Sequence, residues 1–63
     1  MKTYEEAVYN VAEEYFHESM NSMMPRLNVD KCRMIAFIFD VSIDDVCNEV
    51  VGTARENREV FGK

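Results

Sequence analysis

Glu14 and His17, three residues apart in "EEYFH", form the pair with the most metal-binding character in this 63-residue chain. On a helix that spacing puts two ligands on one face, the arrangement used by di-iron bundles. Such a bundle needs two pairs of this kind and two further glutamates, all pointing inward, whereas this chain has one histidine. His17 also falls on the polar side of its helix with Glu6, Asn10 and Glu13. The pattern therefore predicts a solvated histidine between acids, with no metal and no other cofactor. Cys32 and Cys47 stand among apolar residues with no base beside them, an environment that disfavours the thiolate needed of a nucleophile. Both are expected to be small core side chains in a reducing compartment. The stretch "MKTYEEAV" has no apolar segment of the secretory type, so the expected location is the cytoplasm. There is no glycine-rich phosphate loop and no serine-centred triad, and a chain of this size has little room for a substrate pocket. An enzyme is not expected.

The remaining chemistry is that of carboxylates. Twelve acids against seven bases leave a net charge of −5. Residues 1–20 hold five glutamates against Lys2, residues 40–49 hold four acids and no base, and only residues 26–33 are locally basic, with Arg26, Lys31 and Arg33 around Asp30. Nucleic acid is bound largely by neutralising phosphates, so this distribution argues against a nucleic-acid partner and for a protein partner with a basic surface. The candidate partner-binding residues are Glu13, Glu14, Asp44, Asp45 and Glu49. Four acids, Glu5, Glu6, Asp44 and Asp45, also have a local role at helix N-termini, where negative charge complements the helix dipole. Glu13, Glu14 and Glu49 lie outside any first turn, so they discriminate between a binding surface and ordinary capping.

The elements that must position these groups are helical. The chain is 48% hydrophobic with two glycines and one proline, too apolar for disorder and too poor in turn residues for an all-β fold. One helical domain over 1–63 is expected, of marginal stability alone because a chain this short buries only about 60% of its unfolded surface. The longest apolar run, residues 34–39, is far short of the roughly 18 residues that span a bilayer, so no membrane association is expected. Helix 1 is predicted over 4–23, opened by a Thr3–Glu6 capping box and closed before Pro25. Tyr4, Val8, Val11 and Tyr15 recur on one face at helical spacing. Tyr9, Phe16, Met20 and Met23 form an adjacent apolar stripe too wide for one small domain to fill, and they are the candidate oligomer interface of a homodimer. Helix 2 is predicted over 31–39, with Asp30 as N-cap and Val29 stapled onto Met34. Its run "MIAFIF" leaves no polar face, so it should be a central element covered on more than one side. Helix 3 is predicted over 43–60, with a Ser42–Asp45 capping box, Val41 stapled onto Val46, a buried stripe of Ile43, Val46, Cys47, Val50 and Ala54, and Gly62 as a left-handed cap.

Residues 32–51, about a third of the chain, resemble the helix-turn-helix motif of bacterial and phage regulators. The resemblance rests on a small residue, Ala36, four positions before the turn at Asp40, on "Val41-Ser42" after it, and on Val46 and Val50 six and ten positions past it. It implies two helices meeting at a steep corner, with Ala36 allowing their close approach. The turn residue is Asp40, where the family usually has glycine for its positive φ. The exposed positions of the second helix are Asp44, Asp45, Asn48 and Glu49, where DNA readers place Gln, Arg, Ser or Lys. The expectation is an all-α three-helix domain whose helix-turn-helix-like corner is a scaffold. It would act as a small acidic inhibitor or adaptor of the kind phages and mobile elements direct at host proteins, including defence systems, with its acids as a possible imitation of DNA phosphates. The alternative is a DNA-binding transcriptional regulator. A dimeric structural protein without inhibitory role shares the same sequence features.

Overall fold

The computed structural model describes residues 3–62. Helices α1 (Tyr4–Asn21), α2 (Val29–Phe39) and α3 (Ile43–Glu56) are followed by a single turn, α4 (Arg58–Phe61). Every described element is helical, and among the described residues no helix is long and apolar enough to cross a membrane.

Helix α1 opens at the expected cap. The Thr3 Oγ1 accepts from the Glu6 backbone N–H at 3.2 Å, and the Glu6 carboxylate accepts from the Thr3 hydroxyl at 3.3 Å rather than reaching the backbone of the cap. The helix ends at Asn21, short of the expected residue 23, because polar side chains occupy the carbonyls of its last turn. Ser19 donates to the Phe16 carbonyl at 2.6 Å and Asn21 to that of His17 at 3.0 Å, while the Ser22 hydroxyl accepts from the Met24 N–H at 3.2 Å. Side chains of this type compete with the helix for backbone partners. Met23 consequently lies beyond the helix and fully exposed, so it does not extend the stripe of Tyr9, Phe16 and Met20.

Helix α2 starts at Val29, two residues ahead of the expected start at Lys31. Asn28 caps it by accepting from the Lys31 N–H at 3.1 Å. Asp30 instead falls in the first turn, where its charge favours the dipole. The shift moves Val29 into the helix and leaves it exposed, while Leu27, just before the cap, packs on the core in its place. At the other end Asp40 takes the left-handed conformation, φ 55° and ψ 50°, and the Ala36 carbonyl accepts from the N–H groups of both Asp40 and Val41. The turn between α2 and the next helix is thus closed by an aspartate in a conformation that few residues other than glycine, asparagine and aspartate adopt readily.

Helix α3 begins after Ser42, whose side chain makes no capping hydrogen bond, contrary to the expected box with Asp45. The carboxylates of Asp44 and Asp45 act there only through the dipole. The helix also stops at Asn57 instead of running to residue 60. Both the backbone and the side-chain N–H of Asn57 donate to the Thr53 carbonyl, at 3.0 and 2.9 Å. The chain then turns into α4, which carries Phe61 back onto α1. Gly62 follows in right-handed conformation (φ −80°), not the left-handed one expected of a cap.

The core lies where these elements meet: Val8, Val11 and Ala12 of α1, Cys32 and Ile35 of α2, Val46, Val50 and Ala54 of α3, and Phe61 of α4. The largest contact is between α1 and α3, with α2 packed on both. Ala36 and Val41 pack against this cluster, and Val46 and Val50 are wholly buried within it. Ile43 and Cys47, expected on the buried stripe, are half-buried. Apart from Phe61 and Ile35 these side chains are small, so the hydrophobic stabilisation, at about 25 cal/mol per Å² of apolar surface removed from water, is modest.

Candidate interaction surfaces

Phe61 changes the character of the α1 stripe. Its ring meets that of Tyr9 edge-on, with centroids 5.0 Å apart, and that of Phe16 in a tilted contact at 5.7 Å. The chain therefore covers part of the surface expected to lack an intrachain partner. Met20 and Met23 stay exposed.

Among the helices, α2 carries the most exposed large apolar side chains. Phe37 is 87% exposed and Met34 and Ile38 are each 63% exposed, although the continuous run "MIAFIF" predicts a helix covered on several sides. Only the side of α2 bearing Cys32 and Ile35 is buried. Beside it, an open groove of about 710 Å³ runs between α1 and α2, floored by Ala7, Val11, Ile35 and Phe39 and edged by Met34 and Ile38. The Lys31 Nζ and the Glu14 Oε2 form an ion pair at 2.6 Å beside this groove.

The acids divide into two groups. Glu14 is held by Lys31, and the Glu13 carboxylate lies 4.0 Å from the His17 Nε2. Asp45 and Glu49 approach the hydroxyl of Tyr4, which brings the first turn of α1, with Glu5 and Glu6, to the acidic start of α3. Burial, and then the Glu49 carboxylate, push that hydroxyl up to about 12. Tyr4 stacks edge-on against Phe39 at 5.5 Å, and its buried hydroxyl has no hydrogen-bond partner among the described residues. Glu13, Glu14, Asp44, Asp45 and Glu49 are all exposed. They do not form one patch, because Glu13 and Glu14 stand nine and ten residues along α1 from Tyr4, about 14 Å at 1.5 Å per residue.

No group of three or more His, Cys, Asp or Glu suited to a metal ion is present among the described residues, and Glu14 of the Glu14–His17 pair is engaged by Lys31. Cys32 is fully buried and its thiol is pushed up to about 11 by burial and by the neighbouring Cys47. Both cysteines are free thiols. Neither the return of Phe61 nor the open face of α2 follows from the local sequence pattern, and the unbroken apolar run that marks the second is equally the mark of a buried helix. No known protein family matches this chain, and neither does any curated protein or solved structure.

Proposed function

We propose that this chain is a non-catalytic, acidic protein-binding module that acts on a protein partner with a basic surface. The observation that carries this reading is that Asp44, Asp45 and Glu49 are exposed on the first half of α3 with no basic residue in ion-pair contact among the described residues. Such a cluster raises the local negative potential and steers a positive partner toward it. A small inhibitor or adaptor of phage or mobile-element origin, acting on a host enzyme or defence system in the cytoplasm, is the biological setting that the size and charge favour. In that setting the acids would occupy the phosphate-binding site of a DNA-binding host protein.

The test is capture of the partner by wild type and by the Asp44→Asn, Glu49→Gln variant. Capture should weaken in the variant and slow with rising salt, at unchanged helicity. Equal capture by both chains would remove the acids from the interface.

A DNA-binding regulator is the second reading, favoured by the resemblance of residues 32–51 to the helix-turn-helix motif and by the two helices, α2 and α3, that the short turn at Asp40 joins there. Against it stand the acids at the start of α3, each costing about 1 kcal/mol against a phosphate 4 Å away even in bulk water. Titration with mixed-sequence duplex at about 0.1 M salt separates the readings. Salt-sensitive binding below micromolar would favour the regulator.

A further inference from the structure

We propose that the outward face of α2 is a contact between two copies of this chain, packed antiparallel about a two-fold axis near residues 35 and 36. Phe37, Met34 and Ile38 are the most exposed apolar side chains of any helix longer than one turn apart from Met20, and they fall together on that face. With the axis so placed, Met34 of one copy lies opposite Phe37 of the other, and the two Phe37 rings approach each other at the centre of the contact. A buried aromatic surrounded by such side chains is the usual core of a protein interface.

Charge complementarity selects a second copy of this chain, and the antiparallel direction, as the occupant. Arg33 lies one turn before Phe37 on the same flank, at about 100° per residue, and Asp40 closes the helix just beyond its C-terminal end. Among the described residues neither Arg33 nor Asp40 makes an ion pair, whereas Lys31 is already engaged by Glu14. In the antiparallel arrangement Arg33 of each copy comes within about 3 Å, measured along the axis, of Asp40 of the other. This happens twice, once at each end. A parallel arrangement about a two-fold axis would put the Arg33 side chains of the two copies on opposite edges, leave Arg33 about 10 Å along the axis from Asp40 of the other copy, and align the helix dipoles unfavourably. Asp30 falls opposite Val41 of the second copy at the solvated rim. The contact is self-complementary and closes at two chains, so it forms a dimer and not a filament. It leaves Asp44, Asp45 and Glu49 outside its centre and does not depend on the acidic surface having a partner.

Sedimentation equilibrium of the purified chain from about 1 to 100 µM tests this directly, in the range where a contact of this modest size should act. Wild type should dimerise and Phe37→Glu should remain monomeric, with unchanged helicity because Phe37 is largely exposed in the single chain. Arg33→Glu should weaken the dimer at least about tenfold by placing like charges together, and the Arg33→Glu, Asp40→Asn double variant, which removes the repulsion and keeps a side chain that accepts the left-handed turn, should recover part of that loss. A monomeric wild type throughout, or a dimer that survives Phe37→Glu, overturns the proposal. A dimer lost in Phe37→Glu but indifferent to Arg33→Glu overturns the antiparallel arrangement.

Discussion

Replacing Phe61 with alanine tests the packing on which the fold turns. Phe61 is 5% exposed and touches the rings of both Tyr9 and Phe16. Truncating a buried phenylalanine costs about 3–5 kcal/mol through lost transfer energy and the cavity left behind. The lower end applies here, because α4 is a single turn that can settle into part of the space. A domain of this length has a total stability of only about 3–9 kcal/mol. A loss of about 3 kcal/mol is therefore a large fraction of the whole, and corresponds to a fall in Tm of roughly 12–24 °C. Urea and thermal unfolding followed by far-ultraviolet circular dichroism supply the measurement. Val60→Ala is the control: Val60 is the exposed neighbour in the same turn and should change stability by no more than about 0.5 kcal/mol. If Phe61→Ala cost less than about 1 kcal/mol, or no more than Val60→Ala, the return of the chain onto α1 would be refuted.

Three further outcomes follow from the same geometry. Asn28→Ala should cost about 1 kcal/mol, since its side chain holds the Lys31 N–H, while Ser42→Ala should cost clearly less, since Ser42 makes no such bond; the order of urea midpoints decides it. The Tyr4 hydroxyl is pushed up to about 12 from its ordinary 10.0, so the unfolded chain ionises first and folding stability, unaffected by this group below pH 10, falls as pH rises toward 12. Tyr4→Phe should therefore flatten the alkaline fall in stability and cost little at neutral pH, where the hydroxyl has no partner to lose; a steep alkaline fall retained in the variant would count against this. Glu14→Gln should change stability by less than about 1 kcal/mol, because both members of the Glu14–Lys31 pair are half-exposed, and a larger drop in urea midpoint would show that the pair holds α1 to α2.

Much of the fold was legible because apolar spacing is a direct record of which face is buried. Val8 and Val11, and Val46, Val50 and Ala54, recur at the helical period and are the residues the core encloses. What escaped depended on contacts distant in sequence. Asn28 and Asp30 are both good caps, and the choice between them was made by whether Leu27 or Val29 found a place on the core. The break at Asn57 has a local cause in its side chain, but the benefit that fixes it is the burial of Phe61 against residues some fifty positions earlier. The open face of α2 was hidden for the opposite reason: six consecutive apolar residues carry no polar marker of which side faces water. The acids were plain as a composition, yet nothing local foretold that Lys31 would claim Glu14 from the other side of a groove.

The burial of Cys32 makes the chain its own stopwatch. Its sulfur is shut between α2 and its neighbours, and its proton is held well past neutrality, so an alkylating reagent can react only after the helices part and the thiol ionises in water. Cys47, half-buried, meets the same reagent through smaller excursions. The ratio of the two labelling rates thus separates local breathing from full opening in a single tube. A bound partner or second copy that stabilises the folded chain would slow the Cys32 clock in proportion to its occupancy, whatever surface it covers.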